Sequence, residues 1–322
     1  MIRIEVTSQD VMASRFAISP LVETLHALWV LAGKAEAGYW RSWADRMREP
    51  YGELKEPGLR ALVALMRRGG YNADWVAPPP TGVNSRFEEE IAAVRTTPLA
   101  QAREEISRNL HGLPPPPPDV MATLDDPRLV GMVADGLEVL WREVIAPHWP
   151  RFRAILQREI LQRAGRLAAY GWAAALDDMR PHLRWNGGHI ESQSASEEKH
   201  RLDGRGLLFI PSVFAAKAIP YLESNWPYAL VYPARGVAAP LSAPRGLSTL
   251  IGRTRARVLM ELRTPATTTQ LAALLAQSVS TVGGHLTALR DAGLVTGTRA
   301  GRGVLYHRTE LGDALAELST PR

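Results

Sequence analysis

Ser280-Thr281-Val282-Gly283-Gly284-His285-Leu286-Thr287-Ala288-Leu289-Arg290-Asp291-Ala292-Gly293-Leu294-Val295 is the stretch that decides the fold of the C-terminal part of this chain. At about 100° per residue, Val279, Val282, Leu286 and Leu289 fall within roughly 80° of arc, the apolar face of a helix over 279–292. Gly293 follows as its C-cap. The opposite face carries Ser280, Thr281, Gly284, Thr287 and Ala288, all small or hydroxylated. A merely solvated face would carry Lys and Glu. A face of small polar residues suits close approach to a groove.

Upstream, Gln277-Ser278 reads as a turn. Before it, 267–269 supply an N-cap to a helix with Leu271, Leu274 and Leu275 inward. Residues 253–263 form an earlier helix with Val258, Leu259 and Leu262 apolar, ended by Thr264-Pro265-Ala266. Three helices with a tight turn before the third make a helix-turn-helix. Downstream, Leu294-Val295-Thr296 is a short strand, 298–303 a basic Gly-rich turn, and Val304-Leu305-Tyr306 the returning strand. This hairpin is a wing with Arg299 and Arg302 at its tip, placed to meet phosphates or the minor groove. Thr309-Glu310 then caps a last helix bearing Leu311, Leu315 and Leu318.

The residues set to touch DNA are therefore Thr268, Thr269, Gln270, Ser278, Ser280, Thr281, Gly283, Gly284, His285, Thr287, Arg290, Arg299 and Arg302. Several have a second reading. Thr268, Thr269 and Gln270 offer helix-start N–H groups to a phosphate, or simply cap the helix. His285 reads a base or packs at the flank. Arg290 meets a phosphate or pairs with Asp291 or Glu261. Arg299 and Arg302 meet phosphates or are solvated loop charges.

Charge supports the same division. The segment 241–322 holds ten Arg, no Lys and five acidic residues, while 1–240 balances 28 basic against 28 acidic. The whole net +5 thus sits in the last 82 residues, as expected of a phosphate-binding module joined to a neutral domain. Cysteine is absent, which excludes disulfides, thiolate nucleophiles and Cys-based metal sites. No apolar run is long enough to span a bilayer and the start lacks a signal-peptide core, so the expectation is a soluble, cytoplasmic protein without a membrane partner.

Ser280-Thr281-Val282, His285-Leu286, Leu289-Arg290 and Ala292-Gly293-Leu294-Val295, with Gly301-Arg302 and Tyr306, resemble the ArsR/SmtB family of bacterial transcriptional repressors over 250–318. The resemblance implies a homodimer whose two recognition helices enter successive major grooves of operator DNA. Two departures stand out. Where the family usually has Ser and a longer polar residue before the His, this chain has Gly283 and Gly284. Each costs a helix about 1 kcal/mol relative to Ala. Either the backbone approaches DNA closely or specificity rests on other contacts. The metal-sensing members carry Cys pairs in the helix that here spans 268–276, or His and Asp ligands in the terminal helix. This chain has no Cys, and its terminal helix has Asp313 but no His, so no metal site and no cofactor are expected.

The first 240 residues read as mostly helical. A strand is expected at 2–6, then a helix opened by Ser19-Pro20, and further helices at 58–67, 86–94, 98–109, 126–143 and from 149 to 167 or 179. Pro78–Pro80 and Pro114–Pro118 interrupt them as polyproline spacers. Strands at 189–193, 199–202, 207–210 and 229–232 suggest one small sheet near 186–232, with Asp203-Gly204-Arg205-Gly206 as a turn. The Pro/Ala/Gly-rich 236–245 reads as a linker. His182, His189, Glu191 and His200 lie close in sequence, but nothing fixes the three or four converging ligands zinc needs. Tryptophans such as Trp40, Trp43, Trp172 and Trp185 read as core, with a few available to line a pocket. The Leu208–Phe214 and Leu230–Gly236 segments are similar to an uncharacterised domain fused to ArsR-type modules in actinobacteria.

The expected fold is mainly α with small β elements: a helical domain over 1–240 and a winged helix-turn-helix over 241–322. No nucleophile elbow, phosphate loop, dinucleotide fingerprint or paired-acid signature appears, so an enzyme is not expected. The expected partners are double-stranded DNA, a second copy of the chain and, optionally, a small-molecule effector. The alternative is a small-molecule-binding or enzymatic N-terminal domain, with the winged helix used for recruitment or protein contact.

Overall fold

The computed structural model describes residues 1–67, 71–177, 183–192, 197–223, 226–234, 244–300 and 303–318. The chain divides into two compact units, Met1–Trp149 with Arg163–Arg235, and Pro150–Gln162 with Gly236–Arg322. The residues 150–162 therefore pack with the winged helix rather than with the 1–240 segment that contains them. The 236–245 linker lies outside the described residues up to 243.

In the first unit, the described residues before 149 form the α-helices α1 (Ser8–Ala13), α2 (Pro20–Leu31), α3 (Arg41–Glu53), α4 (Pro57–Leu65), α5 (Phe87–Arg95), α6 (Leu99–Leu110), α7 (Pro118–Asp125) and α8 (Leu129–Leu140). Ser19 caps α2 by accepting the Val22 N–H at 3.0 Å, and Pro20 opens it, as its sequence requires. The stretch expected as one helix over 126–143 is α8 followed by a π-turn at Trp141–Ile145. Pro118 is not polyproline but the first residue of α7, where its missing N–H costs nothing. Gly58 lets α4 lie against α8, since a Cβ there would sit 2.0 Å from the Met132 carbonyl oxygen. Helix α9 (Trp149–Asp177), whose residues 150–162 belong to the second unit, breaks at Gly171, whose φ is 76° and ψ −175°.

The strands depart further from expectation. They are β1 (Ile2–Glu5), β2 (Arg15–Phe16), β3 (Leu183–Asn186), β4 (His189–Ser192), β5 (Glu198–Arg201), β6 (Leu208–Ser212), β7 (Ile219–Tyr221) and β8 (Ala229–Pro233). They form two four-stranded sheets in the orders β3-β4-β1-β5 and β2-β6-β8-β7. The first unit is thus a helical layer combined with two sheets, not a helical domain closed by one small sheet. Asp203–Gly206 does not turn between paired strands, because β5 lies beside β1 and β6 beside β8. Instead it passes from one sheet to the other. Asp203 and Gly204 have φ of 52° and 79°, and the Asp10 carboxylate accepts the Gly204 and Gly206 N–H groups at 2.8 and 3.3 Å. Ile4, Leu183 and Ile190 of one sheet share a core with Phe209, Leu230 and Tyr232 of the other.

The second unit contains α10 (Arg245–Ile251), α11 (Arg253–Glu261), β9 (Ala266–Thr267), α12 (Thr268–Leu275), α13 (Val279–Asp291), β10 (Val295–Ala300), β11 (Gly303–Arg308) and α14 (Glu310–Leu318). Its core joins Val258, Leu259, Leu271, Leu275, Val282, Leu286, Leu289 and Val295. Two expected core residues face outward: Val279 is 51% exposed and Leu311 60%. Each is within the first two residues of its helix, where the apolar stripe has not yet met the core.

The turn between α12 and α13 holds Ala276 at φ 54°, ψ 48°, the left-handed region an L side chain disfavours. Ala276→Gly is expected to raise the stability of this unit by about 0.5–1 kcal/mol, the relief exceeding the added chain entropy. Chemical denaturation reads this directly. A lowered midpoint contradicts it.

Candidate nucleic-acid interface

Helix α13 is built for presentation. Ser278 is its N-cap, accepting the Thr281 N–H at 3.1 Å. The Ser278 Oγ also lies 2.7 Å from Thr281 Oγ1 and 2.9 Å from Ser280 Oγ, so three hydroxyls cluster at the exposed start of the helix. Gly284, Thr287 and Arg290 are exposed, while Gly283 and His285 are half-buried. A Cβ on either glycine would meet nothing within 4 Å. No contact among the described residues therefore calls for glycine at these two positions.

The start of α12 is partly committed to structure. Thr267 and Gln270 form a capping box, with Thr267 N–H to Gln270 Oε1 at 2.8 Å and Gln270 N–H to Thr267 Oγ1 at 3.3 Å. The Gln270 amide further donates to Gln157 Oε1 at 3.0 Å. Gln270 thus has partners within the unit, whereas Thr269 is exposed and Thr268 half-buried.

The wing is a three-stranded sheet in the order β10-β11-β9. Sequence reading missed β9: two residues after a proline, the second of them the N-cap of α12, leave no alternation to detect. Tyr306 pairs with Ala266, which ties the wing to the entry of α12. Arg299 is exposed on β10, in register with Val304. Arg302 and Gly301 lie outside the described residues.

Two arginines, unsuspected from the sequence, close the C-terminal end of α11. Arg308 donates to the Leu259 and Met260 carbonyls at 2.7 and 2.9 Å and to Asp313 at 3.2 Å. Burial pulls Arg308 below the usual arginine value, against the pull of Asp313. Arg158, from the 150–162 segment, donates to both the carboxylate and the carbonyl oxygen of Glu261. Cations at a helix C-terminus answer its unpaired carbonyls and dipole. Glu261 is therefore engaged by Arg158, not by Arg290. The end of α13 is fastened as well, with Thr309 Oγ1 donating to the Gly293 carbonyl at 2.7 Å.

Of the histidines weighed for metal, His189 lies 3.2 Å from Glu191 and His200 lies 3.0 Å from Glu198, and His182 is outside the described residues. Among the described residues no group of three or more His, Asp or Glu could hold a metal ion, and no helix is long and apolar enough to cross a membrane.

No curated protein and no solved structure matches the chain. Residues 251–298, which run from the end of α10 through α13 into the first strand of the wing, match a family model described as a helix-turn-helix domain, and this part of the chain is a helix-turn-helix of the DNA-binding kind.

Proposed function

We propose that the protein is a transcriptional regulator of the ArsR/SmtB kind, a cytoplasmic homodimer that represses by gripping an inverted-repeat operator through α13 and the wing. The observation that carries this is the coincidence of the helix-turn-helix match with an exposed, hydroxyl-lined face on α13 and an exposed arginine on the wing. Ser280, Thr281, Gly284 and Thr287 enter the major groove, Arg290 and Arg299 meet phosphates, and the N–H groups at the start of α12 take another phosphate. The first unit contributes dimer contacts, effector binding or both, with no catalytic role and no cofactor.

Gel retardation of DNA fragments from around its own gene tests the reading. Binding should weaken steeply with salt, because each neutralised phosphate releases counterions. Arg299→Ala should weaken binding uniformly across sequences and reduce the salt slope by about 1. Failure to retard any genomic fragment in a salt-dependent way rules the function out.

A further inference from the structure

Residues 150–162 lie outside the matched helix-turn-helix, yet they belong to the same compact unit. Two neighbouring side chains of this segment reach opposite ends of one connection. Arg158 holds Glu261, the last residue of α11, by its carboxylate and its carbonyl oxygen. Gln157 Oε1 accepts from the amide of Gln270, in the first turn of α12, at 3.0 Å. Between Glu261 and Gln270 runs the chain that carries β9, whose Ala266 and Thr267 pair with Tyr306 and Leu305 of the wing. The same stretch carries Thr268 and Thr269, which open α12 on the side offered to a phosphate.

Donor and acceptor chemistry makes Gln157 more than a neighbour. The Thr267 N–H donates, so Gln270 turns its Oε1 toward it, at 2.8 Å. The Gln270 Nε2 then points the other way and needs an acceptor, which Gln157 Oε1 supplies. Without that acceptor the amide gains by turning its NH2 to water, and each turn takes the oxygen away from Thr267. The capping box is thereby fastened from outside the helix-turn-helix. One line of hydrogen bonds runs from Gln157 to Gln270 to Thr267, and Thr267 is the residue in register with Leu305 of the wing.

We propose that Gln157 is a positioning residue for DNA binding. It locks the Gln270 amide and, through Thr267, fixes the start of α12 and the root of the wing in the arrangement that meets DNA. The inference rests on the DNA-binding reading above. The apolar core of the helix-turn-helix is built from other residues, so losing Gln157 loosens this corner and leaves the fold standing.

The test is gel retardation of DNA fragments from around the gene, with the full chain as parent, Gln157→Ala, Gln270→Ala and the double variant, all at one salt concentration. Gln157→Ala should bind about fivefold more weakly, within the range of one neutral hydrogen bond. Because Gln157 acts through Gln270, the double variant should bind no more weakly than Gln270→Ala. A small loss of stability does not mimic this, since the variant remains almost wholly folded. In the absence of DNA, hydrogen exchange at the Thr267 and Gln270 amides of Gln157→Ala should quicken about fivefold relative to Leu286 and Leu289 of α13. A parent that retards no fragment overturns the proposed function and this inference with it. Where the parent binds, equal binding by Gln157→Ala overturns the inference alone. So does a double variant weakened by the product of the two single losses, or unchanged relative exchange at Thr267 and Gln270.

Discussion

Arg158→Ala should destabilise the C-terminal unit by about 3–5 kcal/mol, the loss seen when one member of a buried ion pair is removed. The side chains of Arg158 and Glu261 are only 6% and 13% exposed, so solvent does little to screen the charge left behind. The substitution also strips a donor from the Glu261 carbonyl at the end of α11. Urea unfolding measures the loss. Replacing both partners, as in Arg158→Met with Glu261→Leu, should recover most of it, since two apolar groups leave no stranded charge. If Arg158→Ala costs less than about 1 kcal/mol, the pair is exchanging with water and its structural role is refuted.

The second large effect sets stability against binding. Gly283→Ala and Gly284→Ala should each stabilise the free protein by about 1 kcal/mol, because Ala is the better helix former. The Cβ atoms would occupy open space, so no clash offsets the gain. On DNA the same methyl groups would stand between helix backbone and groove. The double variant should therefore melt higher yet bind DNA about tenfold more weakly or worse. A melting curve and a titration on one preparation separate the two effects. Higher stability with unchanged affinity would mean that DNA keeps its distance from this turn of the helix.

The parts of the fold that were legible from sequence are those written locally. Ser19-Pro20 and Gly293 mark helix ends through bonds that span three or four residues, and each occupies its expected place. The outward face of α13 was legible for the same reason. The two sheets were not, because β1 and β2 are four and two residues long and pair with strands far along the chain. Arg158 and Glu261 are 103 residues apart, and nothing in the periodicity around either points to the other. The buried Glu23 and His26 of α2 were hidden too. A helix whose residues are buried nearly all round reads as core, and a polar stripe within it shows only when its partners are counted.

The pairing of β1 and β2 also governs the order in which the chain can fold. Ile2 meets Ser192 and Glu198, and Phe16 meets Phe209. On a translating ribosome these strands emerge before their partners and must wait until the strands between His189 and Ser212 are made. Until β4 and β5 emerge, β1 with its buried Ile2 and Ile4 has no native neighbour. Such distant pairing slows folding and leaves a nascent edge open to foreign strands. Co-expressed chaperones should therefore help its recovery more than they help a helical protein of equal length. A chain released before Ser212 would lack the strand that unites the second sheet.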